Sequence, residues 1–321
     1  MNDNLNLAIK SFNKKNVQIF QVENTETFKL IDIIIFAIFF IIIPILWVAI
    51  RAISFPTYSL NMMDFINNNV ALTYENQVIY TVSLIGFQIF LPIVGIFVLS
   101  FRLKYKIFSS GLYILFLIYP IKLLLSLILA SFTNSIDGLN TFLIDFVYSL
   151  LIVIFAFIKN KNIRNMFKLS YNNYWKFVFF IAFFTLLYFA LLYFMFFITS
   201  LFTTGNDAGN QTIIQNSLST PFSIVAVFFS VVIVAPIIEE IIYRMVLADI
   251  FKNRWYSYLT TTFFFAFLHI QSIGDWENIL PYLSLGLING FVYWKFKNIS
   301  IPILVHFLGN VVGFILLFAT K

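Results

Sequence analysis

The 321-residue sequence is 61% hydrophobic and only 11% charged, with 43 phenylalanines, more apolar side chain than a soluble globule of this size can hide, so composition points to a polytopic membrane protein. The formal net charge of +6 does not mark a nucleic-acid partner, because the basic residues bracket hydrophobic spans and neither GxxxxGKS/T nor GxGxxG occurs. With no cysteine in the chain, disulfides and thiolate metal sites are excluded.

The N-terminal stretch is mostly polar and lacks the early basic region and small-residue cleavage site of a secretory signal, so it reads as uncleaved. Taking about 20 apolar residues as one helical crossing, candidate spans follow near 29–50, 78–100, 107–131, 139–158, 176–203, 221–251, 255–272, 279–296 and 299–319. The last three are short or closely spaced, so the expected fold is an all-α bundle of about eight to nine transmembrane helices. Flanking charges test this division. With a cytoplasmic N-terminus, 16 of the 20 basic residues fall on the inner side, while Asp64, Glu75, Asp137, Asp207, Asp275 and Glu277 fall outside. That is the positive-inside pattern of a multi-pass cell-membrane protein. The basic segment 159–176 divides the chain into an N-terminal extension of about four spans, residues 1–170, and a second unit, 171–321. In the extension, Lys122 and Asp145 are the chief intramembrane charges and read as structural, paired or reaching for the surface.

In the second unit the apolar background breaks at three places. APIIEEIIYR carries Glu239, Glu240 and Arg244; FFFAFLHI carries His269, one turn after Phe265; HFLGN carries His306 and Asn310, one turn apart. Glu240 and Arg244, four residues apart with the acid first, are set for an ion pair along one helix face. Glu239 points about 100° away and has no ready partner on its own helix. Both histidines of the chain lie in apolar spans. At about 1.5 Å per residue, Glu239, His269, His306 and Asn310 all sit about 10 to 21 Å from the cytoplasmic ends of their spans, so the four can meet near the bilayer midplane.

Hydrolysis of a peptide bond needs a base for water, a group to hold that water, and donors facing the oxyanion. Glu239 fits the base, His269 the water-orienting partner, and His306 with Asn310 the oxyanion donors. Zinc is the competing chemistry, with Glu239, His269 and His306 as three ligands and a fourth position open. Because HExxH is absent, metal-free hydrolysis ranks first. Each feature also has a plainer reading. A single buried histidine is more often a hydrogen-bonded core residue, Glu240 and Arg244 suffice as a helix-stabilising pair, and Gly286 with Gly290 is a small-xxx-small helix contact. Only the combination of Glu239, His269, His306 and Asn310 favours a site.

These residues resemble the motifs of the CPBP intramembrane proteases, also called the CAAX-protease or Abi family. EEIIYR is similar to EExxxR, FAFLH to FxxxH and HFLGN to HxxxN, in that order, and GLINGFVYWKFKNISIPILVHFLGN resembles the family's stretch between its last two core helices. The likeness covers roughly residues 176–319. It implies a CAAX-protease-like helical core, a site sunk in the membrane and reached from the cytoplasmic side, and a glutamate-activated water. Glu239 would be the base, His269 its partner, His306 and Asn310 the oxyanion site, and Glu240 and Arg244 supports. The sequence departs in one place, with Met245 where the family usually has glycine. Eukaryotic members trim prenylated proteins, and bacterial relatives are linked to peptide maturation, bacteriocin immunity and signalling; the cysteine-free, phenylalanine-rich composition suggests a low-GC bacterium and argues against a prenylated substrate.

The expectation is therefore an intramembrane endopeptidase acting on a membrane-associated peptide or protein, with no nucleic-acid partner and no cofactor, or zinc in the second reading. Two rivals come from other classes. A non-catalytic scaffold or sensor of the same fold would tolerate loss of Glu239, and a proton-coupled transporter would use Glu239 and the histidines as a relay, although no inverted repeat is present.

Overall fold

The computed structural model describes residues 30–43, 90–102, 138–160, 174–202, 220–248, 254–269, 278–296 and 298–319, with isolated residues between them. Every described element is helical, as the hydropathy pattern requires. Helix α1, Leu30–Ala37, runs into a π-helical turn at Ile38–Ile42 and packs on α2, Leu91–Arg102. Helix α3 is Gly138–Lys159, α4 Tyr174–Ser200, α5 Pro221–Leu247, α6 Arg254–Leu268, α7 Ile279–Phe296 and α8 Ser300–Ala319. Helices α4, α5 and α8 are long and apolar enough to cross a membrane. Lys122, the side chain of Asp145, the first 29 residues and most of the expected span 107–131 lie outside the described residues.

Helix α4 shows how the bundle is sorted. Phe177, Phe184 and Tyr188, spaced by seven and four, are buried and form one helical stripe, while Phe179, Phe183, Leu186 and Phe194 are exposed on the opposite face. The stripe faces α7 and α8, where Phe184 meets Phe291 and Phe296. Exposed phenylalanine on a helix of this length suits a lipid-facing side. The central core joins Ile238, Ile241 and Ile242 of α5 to Leu285, Val292 and Val305 of α7 and α8, and the same cluster takes in Leu99 and Ile152 from α2 and α3.

Helices α6 and α7 pack closely because α7 turns glycines toward α6. A Cβ on Gly286 would lie 3.0 Å from the Thr262 carbonyl oxygen, and one on Gly290 would lie 2.9 Å from both Thr262 Oγ1 and the Tyr258 ring. The expected small-xxx-small contact is therefore present, and Thr262 Oγ1 donates across it to Gly286 O at 3.0 Å.

Helix α5 carries more of the polar residues of the site than any other helix, and it is the least regular. It opens on a capping box, in which Ser223 N–H donates to Thr220 Oγ1 at 3.1 Å and Thr220 N–H to Ser223 Oγ at 2.9 Å, with Pro221 at the first helical position. Two stretches, Phe228–Val234 and Ile241–Leu247, are π-helical. At the end of the first, Ala235 N–H donates to Ser230 O, five residues back. In that register the next donor would be residue 236 to Val231 O, but residue 236 is proline and has no N–H. Val231 O is thus left for a partner from outside the helix, and Asn310 Nδ2 of α8 donates to it at 2.9 Å.

Candidate active site

Glu239 and Glu240 leave α5 in different directions, as their 100° separation requires. Glu240 is fully buried and accepts from Arg244 Nε at 3.0 Å on Oε2, the expected pair within one helix. Arg244 also donates from its NH1 to Thr261 Oγ1 at 3.3 Å, and its guanidinium lies 5.7 Å from the centre of the Phe265 ring. The other oxygen of Glu240 is equally occupied, accepting from Asn289 Nδ2 at 2.8 Å and meeting His306 Nδ1 at 3.1 Å. Three helices, α5, α7 and α8, thus close on one carboxylate.

Glu239 faces the two imidazoles. Its Oε2 lies 3.7 Å from His269 Nε2 and 3.9 Å from His306 Nε2, and that oxygen is buried and makes no hydrogen bond. The Glu239 side chain is 26% exposed, whereas Glu240 is sealed at 0%. Of the two acids, only Glu239 can be reached.

Local chemistry fixes how the imidazoles present themselves. Helix α6 runs through Leu268, and His269 occupies the turn that follows, with its N–H on Ala266 O; the remainder of the span expected to 272 lies outside the described residues. The ring then caps its own helix, His269 Nδ1 lying 2.7 Å from Phe265 O. A carbonyl only accepts, so Nδ1 carries a proton, and in the neutral ring Nε2 turns a lone pair toward Glu239. Phe265 and Tyr282 hold the ring from two sides, at centroid distances of 4.5 and 4.7 Å. For His306 the acceptor is the Glu240 carboxylate, so its Nδ1 also donates and its Nε2 also faces Glu239.

With both rings neutral, three acceptor atoms, Glu239 Oε2 and two imidazole Nε2, surround one small space. Separations of 3.7 and 3.9 Å are too long for direct hydrogen bonds and suit a shared donor such as water. The donor set is also of a kind zinc accepts, with both far ring nitrogens anchored. As arranged it does not fit. The separations exceed the roughly 3.3 Å edge that bonds of about 2.0–2.1 Å subtend at a tetrahedral centre, and no group of three or more His, Asp or Glu side chains among the described residues could hold a metal ion.

The structure brings Glu239, His269 and His306 together and keeps Glu240 and Arg244 behind them. Asn310 lies one turn from His306 on α8, but one of its amide protons is taken by Val231 O. Asn289 was missed by the sequence reading. Its signal was an isolated amide within the apolar run GLINGFVY, where an unpaired polar side chain would be costly.

Residues 221–312, which include all six sequence-predicted site residues and Asn289, match the family described as Type II CAAX prenyl endopeptidase Rce1-like. The resemblance read from the three motifs thus holds over that region. The chain is 34% identical over 121 residues to UPF0177 protein YaiF of Lactococcus lactis subsp. lactis (strain IL1403), covering 37% of this chain and 54% of the relative. It is 28% identical over 95 residues to the membrane-embedded CAAX protease MroQ of Staphylococcus aureus (strain USA300), covering 28% of this chain and 38% of the relative. An uncharacterized protein of Mycoplasma capricolum subsp. capricolum is 28% identical over 200 residues, 58% of each chain. The chain spans about half the length of the curated relatives it matches first. No solved structure matches.

Proposed function

We propose that this chain is an intramembrane endopeptidase that hydrolyses a peptide bond of a membrane-associated peptide or protein with water activated by Glu239. One observation carries the reading: Oε2 of a partly exposed carboxylate, itself buried and without a hydrogen bond, faces two imidazole nitrogens on different helices. The Rce1-like match over the same residues supports it.

In this reading a water donates one proton toward Glu239 Oε2 and the other toward His269 Nε2, which leaves an oxygen lone pair aimed at the scissile carbonyl. Attack forms the new C–O bond as Glu239 takes the proton. Collapse of the tetrahedral intermediate breaks the C–N bond, and Glu239 returns that proton to the leaving nitrogen. His306 Nδ1 is committed to Glu240, so its Nε2 can stabilise the oxyanion only when the ring carries both protons. Asn310 contributes through its second N–H, its first being held on Val231 O. Residues 171–321 carry this machinery in the cell membrane, with the N-terminus on the cytoplasmic side by the charge pattern, and residues 1–170 are an N-terminal extension of about four spans.

The test is cleavage of a fluorogenic membrane-anchored peptide by purified protein in nanodiscs. Replacing one group in the reacting constellation lowers turnover by about 10²-fold or more, so Glu239→Gln and His269→Ala are expected to abolish detectable cleavage with expression retained. Undiminished cleavage by either variant would overturn the assignment.

A further inference from the structure

The proposed chemistry uses Glu239 and His269 directly, but the direction His306 faces is decided behind the site. Glu240 Oε1 receives two donors, His306 Nδ1 at 3.1 Å and Asn289 Nδ2 at 2.8 Å, while Oε2 is held by Arg244. The same Asn289 Nδ2 donates to Pro302 O at 3.2 Å, in the first turn of α8 and one turn before His306. Asn289 is fully buried, as is Glu240, so no solvent stands in for either bond. One amide thus ties the carboxylate on α5 to the backbone of the helix that carries His306.

We propose that Asn289 is a positioning residue, which by bridging Glu240 Oε1 and Pro302 O fixes the carboxylate that keeps the proton on His306 Nδ1 and turns His306 Nε2 toward Glu239. Without the bridge, Glu240 is anchored from Arg244 alone and can rotate its free oxygen away from the imidazole. The ring then has no acceptor at Nδ1 and places its proton on either nitrogen. The catalytic consequence rests on the hydrolase reading above; the proton placement does not.

Because the chain has only two histidines, full-length protein labelled with ¹⁵N-histidine in nanodiscs gives two imidazole spin systems, assigned with His269→Gln. In the parent protein the neutral His306 ring is expected as a single tautomer with Nδ1 protonated. In Asn289→Leu, of similar size and without donors, the His306 signals are expected to shift toward a mixture of tautomers. The His269 tautomer should stay unchanged, since its acceptor is Phe265 O. Peptide cleavage by the same variant is expected to show kcat lowered about 10-fold with KM within twofold, as befits an interaction acting on the transition state rather than on binding. Should Asn289→Leu not be recovered folded, Asn289→Asp, which keeps the shape and exchanges the donor for an acceptor, replaces it with the same readings. An unchanged His306 tautomer in the folded variant overturns the inference, whatever the protease assay shows. A shifted tautomer in a protein that cleaves no peptide supports the positioning role and counts against the hydrolase reading.

Discussion

Asn310 offers a test in which stability and catalysis can be pulled apart. Its amide donates at 2.9 Å to Val231 O, a carbonyl deprived of a donor by Pro236. Asn310→Leu removes that bond and strands the oxygen inside a membrane helix, and a buried unsatisfied carbonyl costs about 1–3 kcal/mol. In a Pro236→Ala background, residue 236 regains an N–H able to reach Val231 O five residues back, so the same Asn310→Leu change is expected to cost less than about 1 kcal/mol. The double-mutant cycle then has a coupling of about 1–2 kcal/mol, above the few tenths typical of independent sites. Reversible unfolding in mixed detergent micelles, followed by circular dichroism, measures all four proteins. Equal costs of Asn310→Leu in the two backgrounds would refute the account of the orphaned carbonyl. Cleavage separates the second role. If Asn310 also faces the oxyanion, the doubly substituted protein recovers stability but stays about 10²- to 10³-fold down in kcat, the usual loss for one oxyanion donor.

Other expectations are simpler to read. Arg244→Leu leaves the fully buried Glu240 without its guanidinium and is expected to destabilise by about 3–5 kcal/mol, with the combined Glu240→Leu and Arg244→Leu change far milder; the shift in unfolding midpoint decides between them. Gly290→Ala places a methyl 2.9 Å from Thr262 Oγ1 and the Tyr258 ring and is expected to cost about 1–3 kcal/mol, whereas Gly313→Ala, with nothing within 4 Å, serves as the near-neutral control in the same thermal melts. Peptide cleavage should survive a strong zinc chelator at concentrations that silence a zinc protease run alongside; loss of activity that returns on adding zinc would restore the metal reading.

What was legible in the sequence was what depends on spacing within one helix. The four-residue step from Glu240 to Arg244 predicted their pairing, and the one-residue step from Glu239 to Glu240 predicted that the two acids would part company. Hydropathy placed α7 at its observed residues and α8 within one residue of its start. The rest depends on where a helix departs from regularity or meets another. At the turn after α6 the His269 ring caps its own helix, and a hydropathy window has no view of that. The commitment of one Asn310 proton to Val231 follows from a π-helical register ending at a proline, although Pro236 was in plain sight. Asn289 could be noticed as an isolated amide, but its partner, 49 residues upstream, becomes its neighbour only through the packed bundle.

The ion pair on α5 also bears on how the chain enters a bilayer. On insertion scales a lone Asp, Lys or Arg at a helix centre costs about 2.5–3.5 kcal/mol, and Glu240 and Arg244 emerge from the ribosome on one segment, able to neutralise each other before α6, α7 and α8 arrive. Half of the carboxylate is then still open. Asn289 and His306, synthesised 49 and 66 residues later, bind the oxygen that Arg244 leaves free. Biogenesis thus delivers a pre-neutralised segment first, and the late C-terminal helices complete the site by docking onto an acceptor that waits for them.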